Sequence, residues 1–121
     1  MNQKLPKTEI LRSKKIIGEL FQKSSSSLYT YPFQIRYLPI AETSSHLPQV
    51  LFVISKKNIR KAHQRNLVRR RIKEAYRLCK NTYLTQLSRQ SAIVIIYVSK
   101  EILDFATIQK KLHKVFQLFP N

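Results

Sequence analysis

The chain is organised around residues 51–80, LFVISKKNIRKAHQRNLVRRRIKEAYRLCK. This segment opens with four apolar residues, Leu51-Phe52-Val53-Ile54, which are typical of a strand. A short polar turn follows, and the residues after it have helical periodicity. Between Lys56 and Lys80 lie 11 of the chain's 23 basic residues, against one acid, Glu74. The segment therefore predicts a strand, a turn and a strongly basic helix.

The predicted helix has two adjoining sides of different character. At about 100° per residue, one side carries the apolar residues Val68, Ile72, Ala75, Tyr76 and Cys79. The adjoining side carries Arg65, Asn66, Arg69, Arg70, Lys73, Arg77 and Lys80. A solvated basic face is the ordinary alternative, but such a face usually places Glu four residues from its cations. Here like charges stand four apart, which favours a helix that packs on a sheet with one side and meets a polyanion with the other.

These residues resemble the signature of the bacterial ribonuclease P protein subunit. The family's SKK motif, short loop and arginine-rich RNR pattern are matched by Ser55-Lys56-Lys57, Ala62, Arg65-Asn66, Arg69-Arg70, Lys73-Glu74 and Arg77. Leu67 stands where the family has the second arginine of the RNR triplet, and by its angle it lies off the basic side. Lys73 replaces a later arginine, which keeps the charge but loses the planar fork. The resemblance covers most of the chain.

The resemblance implies a protein that assists a catalytic RNA. In ribonuclease P the RNA subunit, with bound Mg²⁺, hydrolyses the phosphodiester bond that releases the 5′ leader of precursor tRNA. The expected partners are the ribonuclease P RNA subunit and precursor tRNA, with no membrane or protein partner indicated. No cofactor is expected on the protein, because Mg²⁺ is required by the RNA subunit. The expected contacts with the RNA subunit are Lys56, Lys57, Arg60, Lys61, Arg65, Asn66, Arg69, Arg70, Lys73 and Arg77.

A second site, for the single-stranded leader, is expected between the first helix and one face of the sheet. Phe33, Ile35 and Tyr37 alternate at strand spacing, so Phe33 and Tyr37 share a face. An aromatic stripe of this kind is commonly core, but the resemblance places leader RNA along one sheet face, where rings can stack on unpaired bases. Both interpretations stay open. The expected leader contacts are Lys14, Lys15, Phe21, Phe33, Arg36 and Tyr37.

The remaining elements complete a two-layer α/β domain of the α+β kind. Helical spacing runs from Thr8 to Lys23, AIVIIYV at 92–98 is typical of a strand covered on both faces, and Asp104 can cap a last helix. The predicted order is helix, three strands, basic helix, strand and helix, with a mixed four-stranded sheet. General rules favour a right-handed crossover around the basic helix. The resemblance implies the rare left-handed one, in the fold named after the second domain of a small-subunit ribosomal protein, and we adopt that expectation.

Composition limits the possible functions. A length of 121 residues suits a single domain, 1–121, with residues 1–7 expected to be loose. A net charge of +17 and a pI near 10.5 point to nucleic acid, and no apolar run is long enough to span a membrane. The single cysteine allows no internal disulfide, which suits the cytoplasm. No two of the six acids form an evident acid–base or Mg²⁺-binding pair, so neither catalytic residues nor metal ligands are predicted.

Two other functions stay open from the residues alone. A ribosomal protein or general RNA-binding protein without an associated ribozyme would share the charge and the basic helix. A DNA-binding module could place the same helix in a groove, although a strand and not a helix precedes it. Co-purification with one defined folded RNA or with ribosomal particles distinguishes the first of these from the ribonuclease P role. Binding to duplex DNA well above non-specific levels would favour the second.

Overall fold

The computed structural model describes residues 14–22, 26–39, 49–83 and 91–118. In chain order they form α1 (Lys14–Leu20), β1 (Ser26–Thr30), β2 (Phe33–Pro39), β3 (Gln49–Ile54), α2 (Ala62–Tyr83), β4 (Ser91–Tyr97) and α3 (Phe105–Gln117). The predicted order of elements is confirmed. Residues 1–7 and the predicted start of the first helix at Thr8 lie outside the described residues.

The four strands form one mixed sheet in the order β1-β2-β4-β3. β2 pairs antiparallel with both β1 and β4, whereas β3 and β4 are parallel. A parallel pair needs a long crossover connection, and α2 lies within it. The predicted mixed four-stranded sheet is confirmed, while the left-handed crossover stays a prediction.

Strand β4 is apolar on both faces and occupies an inner position in the sheet. Ile93, Ile95 and Tyr97 pack in the core beneath α2 and α3, while Ala92 and Val94 pack on the side of α1. All five side chains are fully buried. The prediction that this continuous apolar run is a strand covered from both sides is confirmed.

Helix α2 buries the predicted apolar side. Val68, Ile72, Ala75, Tyr76 and Cys79 all belong to the main core. The Tyr76 ring meets Phe52 of β3 and Phe116 of α3, with ring centroids 5.8 and 5.9 Å away. Fully burying a large apolar side chain stabilises the fold by roughly 1.5–3 kcal/mol. This apolar seam therefore fixes which side of α2 is left for solvent or a partner.

Helix α3 begins at the predicted cap. The Asp104 carboxylate accepts a hydrogen bond from the Thr107 backbone N–H at 2.9 Å. Bonds from the Thr107 side chain and backbone lower the pKa of Asp104, because they favour its charged form. The helix buries Ile108, Leu112, Val115 and Phe116, and it packs over β1 and β2 while α2 packs over β3.

Helix α1 lies on the opposite face of the sheet and adds a partial third layer to the predicted two. Leu20 is buried against Ala92 and Val94. Arg36 of β2 binds the end of this helix, its Nε donating to the carbonyl of Leu20 at 2.6 Å and its Nη2 to that of Gln22 at 2.7 Å. The last carbonyls of a helix lack hydrogen-bond donors within it. Here the guanidinium of Arg36 donates to the carbonyls at the end of α1.

Candidate nucleic-acid interface

The predicted basic side of α2 adjoins its buried side and reaches the surface. Asn66, Arg70 and Lys73 are exposed, while Arg65, Arg69 and Arg77 are partly exposed. Lys80, predicted on the same side, is only 9% exposed and therefore adds little to this surface. Leu67, which lies off the basic side by its angle, is partly buried, and we predict that RNA binding tolerates its substitution. The structure thus brings the predicted RNA contacts of α2 together on one surface.

The four cations that precede α2 lie on a structured loop, residues 55–61. The Ser55 carbonyl accepts bonds from the N–H groups of Asn58 at 3.2 Å and Ile59 at 3.0 Å, and the Ser55 hydroxyl accepts one from the Lys57 N–H at 3.0 Å. Ile59 is 3% exposed and packs into the main core. The loop exposes Lys56, Lys57, Arg60 and Lys61. These cations therefore stand on a defined backbone beside the start of α2.

Arg65 connects this loop to the helix. Its Nη1 donates to the carbonyl of Ile59 at 2.9 Å and to that of Arg60 at 2.7 Å. The sequence predicted Arg65 as a contact with RNA, and it gave no sign of these intramolecular bonds. At least part of the guanidinium is thus used within the protein.

Two further polar contacts order the basic side of α2. Arg69 Nη1 donates to Asn66 Oδ1 at 2.9 Å. Arg77 pairs with Glu74 at an N···O distance of 2.6 Å, with both side chains about one-third exposed. An exposed ion pair of this kind contributes only about 0–1 kcal/mol to stability. The one acid among these cations is therefore engaged by a neighbouring arginine.

Arg71 and Lys73 contact other elements. Arg71 Nη1 donates to the carbonyl of Leu103 at 2.7 Å and so joins α2 to the segment before α3. Lys73 Nζ lies 5.9 Å from the ring centroid of Phe52, within range of a cation–π contact. Because Phe52 lies in β3, the basic side of α2 extends over that edge of the sheet.

The structure contradicts two of the predicted leader contacts. Phe33 is 0% exposed, and its ring meets that of Tyr97 edge-on at 5.9 Å between centroids. Tyr37 is partly buried and packs against the same core beneath α2 and α3. Both residues thus lie on the face away from α1, and the prediction that they line a cleft beside that helix is wrong. Strand alternation is the reason, because the face toward α1 belongs to Arg36 and Leu38.

The other four predicted leader residues are on the α1 side. Lys14 and Lys15 are exposed at the start of the described part of α1. Phe21 follows the helix and is 50% exposed. The bonds of Arg36 to the carbonyls that end α1 give it a structural role, which was not predicted. Contact between these four residues and leader RNA stays a prediction.

Tyr29 belongs to the same side and was missed by the sequence analysis. Its neighbour Leu28 packs against the main core, so alternation directs Tyr29 to the face of α1. Its side chain is 59% exposed, and the partly buried Val53 and Ile96 lie on that face too. The signal was the pair Leu28-Tyr29 in a short strand, with the apolar residue inward and the aromatic one outward.

The groups that could perform chemistry are dispersed. Cys79 is buried on the predicted apolar side of α2, and burial raises the pKa of its thiol to about 12, so the thiol stays protonated. In the described parts of the chain, no three His, Cys, Asp or Glu residues are grouped as metal ligands. Nor does any helix among the described residues have the length and apolar character needed to cross a membrane.

Comparisons with known proteins point to one family. The chain matches the family model described as Ribonuclease P over residues 5–119. A ribonuclease P protein component from Porphyromonas gingivalis is 31% identical over 113 residues, which cover 91% of this chain and 82% of that protein. Another ribonuclease P protein component, from Chlorobium phaeobacteroides, is 39% identical over 75 residues, which cover 60% of this chain and 51% of that protein.

Solved structures show the same fold. The RNase P protein from Thermotoga maritima has a TM-score of 0.74 and 23% identity, covering 93% of this chain and 99% of its own. The RNase P protein from Staphylococcus aureus also has a TM-score of 0.74, with 19% identity, covering 91% of this chain and 94% of its own. The architecture of three helices on a mixed four-stranded sheet is therefore shared with these proteins.

Proposed function

The chain belongs to the ribonuclease P protein family, and from that premise we propose that it binds the catalytic RNA through its 55–61 loop and the basic side of α2. As the protein component of this endoribonuclease, it takes part in 5′ processing of tRNA. One observation carries the proposal: the exposed cations of the loop adjoin those of α2, and the one acid among them is paired with Arg77.

Phosphate neutralisation is the source of affinity in this proposal. Each phosphate that a lysine or arginine neutralises releases condensed counterions, so the logarithm of the binding constant falls with the logarithm of salt by about 0.7–0.9 per contact. Exposed side chains such as Arg60 and Arg70 suit this role, since they reach outward from a fixed backbone. Such contacts position RNA and carry little sequence information.

The reaction is proposed to belong to the RNA subunit. Mg²⁺ prefers carboxylate and phosphate oxygens in octahedral geometry, and the described residues offer no cluster of acids to hold it. We therefore assign the metal ion to the RNA and no chemical step to a side chain of this protein. The proposed place of action is the cytoplasm, where precursor tRNA is processed in bacteria.

The leader of precursor tRNA is proposed to bind on the α1 side of the sheet. The half-exposed rings of Phe21 and Tyr29 can stack on unpaired bases, at about 1–3 kcal/mol per base. Lys14 and Lys15 are available to pair with leader phosphates. Stacking accepts any base, which suits a protein that must handle many leaders. Phe33 and Tyr37 have no place in this surface because they belong to the opposite face.

The test is cleavage of precursor tRNA by the RNA subunit at low Mg²⁺, with and without the protein. We expect the protein to raise the rate of leader removal, and the double variant Arg60→Gln/Arg70→Gln to raise it less. The matched control is Lys110→Gln/Lys114→Gln, which removes the same charge from exposed positions of α3. The proposal fails if the protein leaves cleavage unchanged and binds the RNA subunit no better than unrelated folded RNA, as a general RNA-binding protein would.

A further inference from the structure

The loop of residues 55–61 carries four exposed cations within six consecutive positions, Lys56 to Lys61. Like charges this close repel one another, so the compact loop needs internal contacts to keep its shape. The structure shows four: the bonds to Ser55, the burial of Ile59, the bonds that the Lys61 carbonyl accepts from the N–H groups of Gln64 and Arg65, and the two bonds from the Arg65 side chain. The first two hold the loop itself. The other two join the loop to α2, and of these only the Arg65 bonds to Ile59 and Arg60 are made by a side chain.

We propose that Arg65 is a positioning residue, which holds the 55–61 loop in a preformed shape for the phosphates of the RNA subunit. The inference rests on the proposed function and assigns Arg65 a role different from that of a single phosphate contact. Both carbonyls that it binds belong to the end of the loop, at Ile59 and Arg60. A loop fixed before binding has less freedom to lose when it binds, and preorganisation of this kind improves affinity.

The two roles of Arg65 predict different effects of its removal. The salt slope is the fall in the logarithm of the RNA-binding constant with the logarithm of the salt concentration. If Arg65 only pairs with a phosphate, Arg65→Gln reduces this slope by the value of one contact, about 0.7–0.9. If it positions the loop, the cations at Lys56, Lys57 and Lys61 lose their arrangement as well, and the slope falls by more than one contact. Arg69→Gln is the matched control: it removes the same charge one turn further along α2, where Nη1 bonds the Asn66 side chain.

The experiment measures RNA-subunit binding against salt for Arg65→Gln, Arg69→Gln, Lys61→Gln and the double variant Arg65→Gln/Lys61→Gln. In parallel, hydrogen exchange of the Asn58 and Ile59 amides is followed in the free protein, with the amide of Ile72 in α2 as internal reference. Arg65→Lys is included because it keeps the charge but lacks the planar donor group. Circular dichroism establishes that each variant is folded.

We expect Arg65→Gln to reduce the salt slope by more than the value of one contact. It should speed hydrogen exchange at the amides of Asn58 and Ile59 but not at that of Ile72. In the double variant, Lys61→Gln should weaken RNA binding less than it does in the wild-type background. Arg65→Lys should also speed loop exchange. The proposal is overturned if Arg65→Gln matches Arg69→Gln in slope, adds fully to Lys61→Gln and leaves loop exchange unchanged. The exchange measurement needs no RNA, so positioning is decided even if the wild-type protein does not bind the RNA subunit and the proposed function fails.

Discussion

Phe33 is a core residue, and its truncation should cost stability before anything else. The side chain is fully buried against Tyr97, so Phe33→Ala leaves a cavity that the surroundings fill only in part. We expect a loss of about 3–5 kcal/mol in the free energy of unfolding, measured by urea denaturation. Binding of precursor and mature tRNA should weaken together, because less protein is folded. A stable variant that loses only precursor binding would contradict this.

Phe21 is the same residue type in the opposite environment. Half of its surface is already in water, so Phe21→Ala should leave the urea midpoint nearly unchanged. If its ring stacks on a leader base, affinity for precursor tRNA should fall by about 1–3 kcal/mol, whereas affinity for mature tRNA should not change. Leu118→Ala is the control, since it truncates a similarly exposed apolar residue at the end of α3. Equal weakening with both RNAs would show that Phe21 does not contact the leader.

Among elements, α3 has a cap whose effect depends on pH. The pKa of Asp104 is lowered in the folded state by its bonds to Thr107. The carboxylate therefore stabilises the fold at pH values above its unfolded pKa of about 3.9, and this contribution is lost as the pH falls through the lower folded pKa. We expect Asp104→Ala to lower the urea midpoint at neutral pH, with the two proteins converging in strong acid. A constant difference at all pH values would argue against a charged cap.

The elements differ in how far the sequence could predict them. Helical period and charge identified both sides of α2, and they placed Val68, Ile72 and Cys79 correctly in the core. The period of β2 showed that Phe33 and Tyr37 share a face, but it carried no information on which helix covers that face. The answer depends on tertiary packing: Leu20 of α1 fits against Ala92 and Val94, which lie on the other side of the sheet.

The partners of arginine side chains were equally beyond prediction. A guanidinium carries five donors on a long flexible stem, so an arginine in a basic motif can bind a phosphate, a backbone carbonyl or both. Arg36 and Arg65 both bond carbonyls that are distant from them by 5 to 16 positions. Those carbonyls are accessible only because a helix end and a loop are brought beside the side chains. Sequence patterns therefore identified the basic surface but not the residues that shape it.

At the scale of the whole molecule, the two proposed surfaces occupy different sides of one sheet. The cations for the RNA subunit lie on the helical layer and the adjoining loop, whereas Phe21 and Tyr29 lie with α1 on the opposite face. A protein arranged in this way can contact the catalytic RNA and the leader together. The arrangement also makes the proposals separable, because substitutions on one side should leave binding on the other intact.

Net charge links RNA binding to stability. With a charge of +17, the free chain repels itself, and this repulsion opposes the compact state. Salt screens it, so added NaCl should raise the melting temperature while it weakens RNA binding. Arg60→Gln/Arg70→Gln removes two cations from the densest basic region and should raise the melting temperature at low salt, with the gain shrinking as salt increases.

The double variant Lys110→Gln/Lys114→Gln serves as the matched control for this last prediction. It removes the same charge from α3, where residues 105–117 contain three lysines and no acid, so repulsion is present but less dense than around α2. Its gain in melting temperature should therefore be smaller than that of Arg60→Gln/Arg70→Gln. Differential scanning calorimetry over a range of NaCl concentrations measures both. A lower melting temperature for Arg60→Gln/Arg70→Gln at low salt would show that these side chains stabilise the free protein. The claim that the cations which bind RNA also destabilise the free protein by repulsion would then be wrong.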